Sequence, residues 1–412
     1  MKIKCVKGTR DFLPAEAELR ESIQRTVFEI YRQNGFSRIM TPAVEDIENL
    51  DKSDGGDNLN LIFKILKRGD KLQKALDDIA NNTGKENELC DMGLRYDLTL
   101  PLTRYFAANR NSLPFPFKAI QMDKVYRAEN PQKGRLREFM QCDIDVIGDP
   151  EPECEIELIA VTAKALMALD IGKFTVRIND RTVLNALLSE MGFSAEQLPS
   201  VCVSFDKLDK IGAEGVVAEL LEKGYEKSAV DKFSEVLGKL PLSLEDAEQI
   251  VGKDAAARLT RIITDSKAIA GGKYGIEFDI SLVRGQGYYT GTVFEIRSEN
   301  FGSSVAGGGR YDKLIGKFIG EDIPACGFSI GFERIFSILS DMGRASSEKE
   351  KIAIFYEENF AEVYQKAEEL REKYDVSIYK KPKKLGAFLN RLQSGGFVGF
   401  AYPDGNMKLF DK

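Results

Sequence analysis

The stretch that decides the fold is Tyr126-Arg127-Ala128-Glu129-Asn130-Pro131-Gln132-Lys133-Gly134-Arg135-Leu136-Arg137-Glu138-Phe139. An apolar–polar pattern from Lys118 to Arg127 leads into it, and a second one from Arg137 to Ile147 leads out. The polar residues Ala128 to Leu136 separate the two. Two strand patterns around a polar turn predict an antiparallel hairpin with a long loop. Guanidinium groups crowd the open end of that hairpin. Fixed positive forks there suit phosphoryl oxygens, on which charge grows during in-line attack; a solvated charged loop is the plainer alternative.

Working outward, Pro150 to Leu169 turns from acidic to apolar at helical spacing and predicts a helix. Upstream, Leu13-Pro14 opens a helix in which Leu19, Ile23, Val27, Ile30 and Tyr31 recur on one face and Gly35 marks the stop. Phe36 to Met40 then reads as a strand ending at Thr41-Pro42. In residues 91 to 105, period-two alternation puts Arg95, Asp97 and Thr99 on one face of a possible strand. Downstream, residues 174 to 272 carry short helical patterns and few aromatics, as in an inserted helical subdomain. Strand patterns resume at Ile276 to Val283 and Val293 to Ile296, and Gly307 to Asp312 reads as a turn. Ala325 to Leu339 reads as a last core segment whose glycine-rich approach leads into a helix with Arg334 at its start. After a polar linker, Ser340 to Lys351, the tail alternates strand, helix, strand, helix and strand, a small α/β unit.

Leu282-Val283-Arg284-Gly285-Gln286-Gly287-Tyr288-Tyr289-Thr290-Gly291 sets one guanidinium and two phenols in an apolar, strand-like context. A buried arginine there calls for an anion, because its charge is never lost. The paired tyrosines supply an aromatic wall with polar tips.

Composition narrows the chemistry. The 412 residues contain no histidine, which excludes a Ser-His-Asp triad, a Cys-His pair, a His-ligated metal and any imidazole base. Six dispersed cysteines without a Cys-x-x-Cys pair predict reduced thiols and no zinc site. A net charge of −7 means that any nucleic acid must be met by a local basic surface. No run reaches the length of a membrane span, and the amino terminus lacks a secretory pattern, so a cytoplasmic protein with no membrane partner is expected.

Taken together these segments resemble the class II aminoacyl-tRNA synthetases, and within them the histidyl-tRNA synthetases. Gly8-Thr9-Arg10-Asp11-Phe12-Leu13-Pro14, the helix after it and Thr41-Pro42 are similar to the family's first motif, the Arg127 hairpin to its second, and Gly331-Phe332-Glu333-Arg334 to its third. Arg284 to Gly291 resembles the signature of the histidyl enzymes, with Gln286-Gly287 where many members carry Leu-Asp.

The resemblance implies an α+β fold: a six-stranded antiparallel sheet flanked by helices (residues 1–173 and 273–340), an inserted helical subdomain (174–272) and a shortened anticodon-binding-like α/β domain (350–412). It implies a homodimer and a histidine–tRNA ligase that uses ATP with Mg2+, histidine and tRNA(His), with no metal held by protein side chains. By the same resemblance, Arg127 and Arg284 contact the α-phosphate, Glu129 the adenine and Arg334 the γ-phosphate, with Arg135 also at the ATP site. Asp97, Thr99 and Gln141 hold the amino-acid ammonium, while Asp145, Tyr288 and Tyr289 read the imidazole, beside Arg284. Lys380, Lys381, Lys383, Lys384 and Arg391 form a basic cluster in the tail. The alternative is a catalytically silent paralogue, the histidine-sensing regulatory subunit of ATP phosphoribosyltransferase. Such proteins erode the arginines, and Arg127, Arg284 and Arg334 all stand here.

Overall fold

The computed structural model describes residues 3–52, 60–131, 136–283, 288–344, 349–404 and 406–410. The chain divides into two compact units: Met1–Thr9 with Thr26–Ile338, and Arg10–Arg25 with Leu339–Lys412. Helix α1 (Pro14–Gln33) is followed by the short strand β1 (Ser37–Arg38), and the reversal uses Gly35 at φ +86°. The left-handed backbone there suits a residue without Cβ. The segment before residue 91, which the sequence patterns left unread, contains β2 (Val44–Asp46), α2 (Ile47–Leu50), β3 (Lys64–Leu66) and α3 (Asp70–Ala80) among its described residues; with β4 (Cys90–Leu94) the strands are ordered β2-β4-β3 in an antiparallel sheet.

Here the alternation over 91–105 misleads. The strand ends at Leu94, and Thr99 opens helix α4 (Thr99–Asn109). The Asp97 carboxylate accepts from the Leu100 amide at 3.2 Å, and Pro101 falls in the first turn, where no amide is needed. Local capping therefore outweighs the period-two pattern.

The predicted hairpin is β5 (Phe117–Tyr126) and β6 (Glu138–Ile147), paired from Phe117 opposite Ile147 to Tyr126 opposite Glu138. Helix α5 (Glu153–Ala168) follows, then β7 (Phe174–Asp180). Phe174, Val176 and Ile178 alternate inward along β7, so the expected helical stretch begins only at Arg181. Helices α6 (Arg181–Glu190), α7 (Leu198–Phe205), α8 (Leu208–Glu222) and α9 (Lys227–Leu237) bury Leu184, Phe205, Leu220 and Phe233 in a common core. Val283 reaches into that core, just before the Arg284 segment. Helices α10 (Leu244–Val251) and α11 (Lys253–Ala270) return the chain to β8 (Gly275–Phe278).

Strands β9 (Thr292–Ser298) and β10 (Ser304–Arg310) come next, then α12 (Gly316–Ile319), β11 (Ala325–Gly331) and α13 (Phe332–Asp341). The expected turn at Gly307 to Asp312 is thus largely a strand. Its glycines serve close approach: a Cβ on Gly308 would lie 2.0 Å from the Gly327 carbonyl oxygen and 2.7 Å from the Phe294 ring. Leu282–Val283 and Tyr288–Thr290, read as strand-like, lie outside strands, and Arg284, Gly285, Gln286 and Gly287 lie outside the described residues.

Among the described residues the large sheet has the order β1-β5-β6-β11-β10-β9-β7-β8. From β5 to β7 every neighbour is antiparallel, and β1 and β8 add parallel edges. The expected six-stranded antiparallel sheet is this centre. Helix α5 lies against β6 and β11. Strand alternation then sends Gln141, Asp143 and Asp145 to one face of β6 and Cys142, Ile144 and Val146 to the other.

In the smaller unit β12 (Lys351–Tyr356), α14 (Phe360–Arg371), β13 (Asp375–Lys380), α15 (Leu385–Ser394), β14 (Phe397–Ala401) and β15 (Met407–Leu409) form a four-stranded sheet ordered β13-β12-β14-β15. Ile354 and Ala401 pack with Val363 and Ala367 of α14, while Phe355 and Phe400 pack with Leu392 of α15. Successive residues of the central strands thus meet helices on opposite faces. The sequence patterns located these strands and helices to within a few residues, apart from β15.

Candidate active site

The face of the large sheet opposite α5 opens into a cleft lined by β6, β10 and β11, a concave site of the kind that takes small ligands. Its floor comes from the register of β6 against β11: Gln141 faces Gly331, Asp143 faces Ser329, and Asp145 faces Gly327. Small residues on β11 leave room for the long polar side chains of β6. At Gly327 the fit is tight, since a Cβ there would sit 1.9 Å from the Asp145 carboxylate.

Most of the residues singled out from sequence converge here. Asp97, Thr99, Arg127, Glu129, Gln141, Asp145, Tyr288, Tyr289 and Arg334 all line the cleft. Arg284 and Arg135 lie outside the described residues. Arg95, placed on the same face as Asp97 by alternation, is instead bound by Asp123 at 2.9 Å and donates to the carbonyls of Thr41 and Lys124 at 2.7 and 2.8 Å. Its task is to join the Thr41-Pro42 segment to β5.

The cations are held in fixed orientations. Arg127 donates through Nε to the Tyr96 carbonyl at 3.0 Å and lies over the Phe139 ring at 5.1 Å. Arg137 ties down the hairpin loop by donating to the Glu129 carbonyl at 3.0 Å. Arg334, in the first turn of α13, donates to the Ser304 carbonyl and to its hydroxyl at 3.1 Å. The Glu333 carboxylate accepts from the Met140 amide at 3.2 Å, joining α13 to β6.

The acids are buried. Asp97, Asp143 and Asp145 are each under 5% exposed, at 4%, 4% and 3%. Burial pushes Asp97 up to about 6 despite the Leu100 amide and Arg127. It pushes Asp145 up to about 7 against the Tyr311 hydrogen bond, with the Asp97 charge adding to the rise. Asp143 stands well above the carboxylate range through burial and then the charge of Asp145. Stacked buried acids of this kind suit a cationic ligand.

Three phenols close one end of the cleft. Tyr311 donates to Asp145 at 2.6 Å, Tyr288 and Tyr289 meet edge to face at 4.9 Å, and Tyr288 meets Tyr311 at 5.9 Å. Arg181 fixes Tyr289 by donating to its carbonyl at 3.1 Å. Tyr311, Asp143 and Ser329 line this cleft but were not foreseen. Gln141 and Asp145 came from the family resemblance, and strand alternation along the predicted Arg137 to Ile147 strand puts Asp143 on their face, so its signal was present in the sequence. Tyr311 was hidden because the glycine run before it reads as a turn.

The histidyl-tRNA synthetase family profile matches residues 8–335, which contain every element of this cleft. The chain belongs to that family. Among its relatives, a histidine–tRNA ligase of Leifsonia xyli subsp. xyli is 41% identical over 97% of this chain and 94% of its own length. One from Cytophaga hutchinsonii is 35% identical over 92% and 87%. The crystal structure of histidyl-tRNA synthetase from Nostoc sp. PCC 7120 superposes with a TM-score of 0.80 at 28% identity, covering 99% of this chain and 95% of that one. A Bacillus halodurans structure described as an ATP phosphoribosyltransferase regulatory subunit/histidyl-tRNA synthetase has a TM-score of 0.77 at 22% identity over 98% of each chain, and so shares the fold. As in a class II synthetase, the antiparallel sheet of this family member carries the cleft.

Proposed function

We propose that the protein is a histidine–tRNA ligase that joins histidine to AMP with release of pyrophosphate and then passes the histidyl group to the 3′ end of tRNA(His). The observation that carries this is a single cleft containing two anchored guanidinium groups, Arg127 and Arg334, beside the buried acids and phenols of β6, α4 and the Tyr288 segment. Histidine's carboxylate is ionised at neutral pH, so attack on the α-phosphorus needs alignment and charge neutralisation rather than a base. A chain without histidine residues can supply both.

In this reading Arg127 meets the α-phosphate together with Arg284, Arg334 meets the γ-phosphate, and Glu129 meets the adenine, with Arg135 nearby. Asp97, Thr99 and Gln141 take the ammonium. Asp145, with Tyr288 and Tyr289, takes the imidazole, and a carboxylate and phenols committed to ring nitrogens reject an isostere lacking them by roughly 10⁴-fold or more. Magnesium would enter on the ATP phosphates. Among the described residues the one three-ligand cluster is Cys154, Glu155 and Cys326, whose carboxylate is already bound by Arg310 and Arg258.

The same reading makes residues 350–412 the anticodon-binding-like domain, the helical stretch that begins at Arg181 the inserted subdomain, and the protein a cytoplasmic homodimer. Among the described residues no helix is long and apolar enough to cross a membrane. Retention of Arg127 and Arg334 in the cleft argues against a silent regulatory paralogue.

Histidine-dependent exchange of pyrophosphate into ATP tests the assignment. Exchange is expected with the purified chain, and Arg127→Ala should lower its kcat/KM on the order of 10²- to 10³-fold, as for other electrostatic stabilisers. Absence of exchange in the wild type would overturn the reading.

A further inference from the structure

We infer that Asp143 receives the ammonium group of bound histidine, as the third acceptor of a socket formed with Asp97 and Gln141; this rests on the histidine-activating function proposed above. Three buried acceptor atoms lining the cleft have no hydrogen-bond partner: Asp97 Oδ2, Gln141 Oε1 and Asp143 Oδ1. A primary ammonium carries three N–H donors and no acceptor. Buried polar atoms are rarely left unmade without a functional reason, and here three acceptors match three donors.

The neighbouring groups each have one partner within the protein and keep acceptor capacity for a ligand. Thr99, the third member of the ammonium set inferred from resemblance, shares a hydrogen bond between its hydroxyl and the Tyr288 phenol. Asp145 accepts from Tyr311. Asp143 itself is half engaged: its Oδ2 accepts from Gln141 Nε2 at 3.4 Å, and the Ser329 hydroxyl also bonds its carboxylate. Ser329 in turn accepts from Gln141 at 3.2 Å. This triangle pins the Asp143 side chain and leaves the second oxygen for a ligand.

Charge counts the same way. Arg127 is the cation whose field reaches both Asp97 and Asp143, and Asp145 adds a third acid to the same cluster. An added ammonium lowers this excess of acidic groups. A dehydrated metal ion fits less well, because a hard cation wants about six oxygen ligands and Gln141 already turns its amide nitrogen toward Asp143.

The test uses the full chain and three probes in binding calorimetry: L-histidine and L-histidinol, which carry the ammonium, and imidazolepropionate, which lacks it. Asp143→Asn is nearly isosteric and removes the charge. It is expected to weaken histidine and histidinol by about 30- to 100-fold, the range for losing one member of a buried charge pair, and to leave imidazolepropionate and the KM for ATP within about 3-fold. Equal weakening of all three ligands, or weakening of none, would overturn the role of Asp143. If Asp143→Asn fails to fold, Ser329→Ala, which releases the pinned carboxylate, takes its place with the same criterion: a loss confined to the ammonium-bearing ligands supports the role, and a uniform or absent loss removes it. Pyrophosphate exchange by the wild type, run first, separates failure of this inference from failure of the function on which it rests.

Discussion

Glu155 on α5 and Asp143 on β6 are both carboxylates with almost no exposed surface, at 0% and 4%, yet one is saturated and the other is not. Glu155 accepts from Arg310 at 2.7 Å through each oxygen and from Arg258 at 3.0 and 3.1 Å. Arg310 adds bonds to the Asp149 carbonyl and Asp312 at 3.1 Å. On the opposite face of the sheet, Asp143, Gln141 and Asp97 each keep an unpartnered atom. A closed ion pair ties α5 to β10 and asks for nothing more. An open row of acceptors carries a free-energy cost until a ligand arrives, and that is the physical mark of a site as distinct from a brace.

Three experiments can break or sharpen this contrast. The largest effect is expected at the brace. Glu155→Gln leaves the buried Arg310 with Asp312 in place of two carboxylate partners and should destabilise the protein by about 3 kcal/mol, measured by denaturant unfolding, with the KM for histidine little altered. A stability loss below about 1 kcal/mol would show that Arg310 finds compensation elsewhere and that the pair is no brace.

The open row should instead reveal itself through pH. Asp97 and Asp145 rise from the ordinary carboxylate value to about 6 and about 7, and Asp143 is also raised well above it. A raised folded-state value favours the protonated form in the native protein. Its stabilising contribution is therefore complete below the unfolded value near 4 and is lost as pH climbs through 6 and 7. The ligand-free protein should therefore lose stability steadily between about pH 4.5 and about pH 8 as these groups are forced to ionise. Asp145→Asn should gain stability relative to wild type over the same window. A constant difference between the two proteins across that range would show that the Asp145 carboxyl is not strained by burial.

The smallest effect concerns the pin. Ser329→Ala removes one hydrogen bond to Asp143 and should raise the KM for histidine by about 5-fold, corresponding to about 1 kcal/mol, while KM for ATP stays unchanged. An equal rise in both constants would point to a general disturbance of β11.

How much of this was legible in the chain depends on the range of the interaction. The β5–β6 hairpin, α1, α5 and the smaller α/β unit follow from local periodicity and turn chemistry, which depend on near neighbours in sequence. The cationic segments drew attention to Arg127 and Arg334, and the family resemblance added Gln141 and Asp145. Patterns failed where a local cap or a distant strand intervened. Thr99 begins a helix because Asp97 caps the Leu100 amide. The Gly307 to Gly309 run is a strand because Phe294 and the backbone of β11 press against it.

What the sequence determined by itself is the set of chemical groups available: arginines without histidines, acids at alternate positions of one strand, and paired phenols. Only the tertiary structure decided which of them are free to act. It closed Arg310 on Glu155 and Arg95 on Asp123, brought Tyr311 onto Asp145, and left Asp97, Gln141 and Asp143 with open valences in one cleft. Satisfaction of a polar atom depends on partners that lie far off in the chain, and no local pattern encodes them.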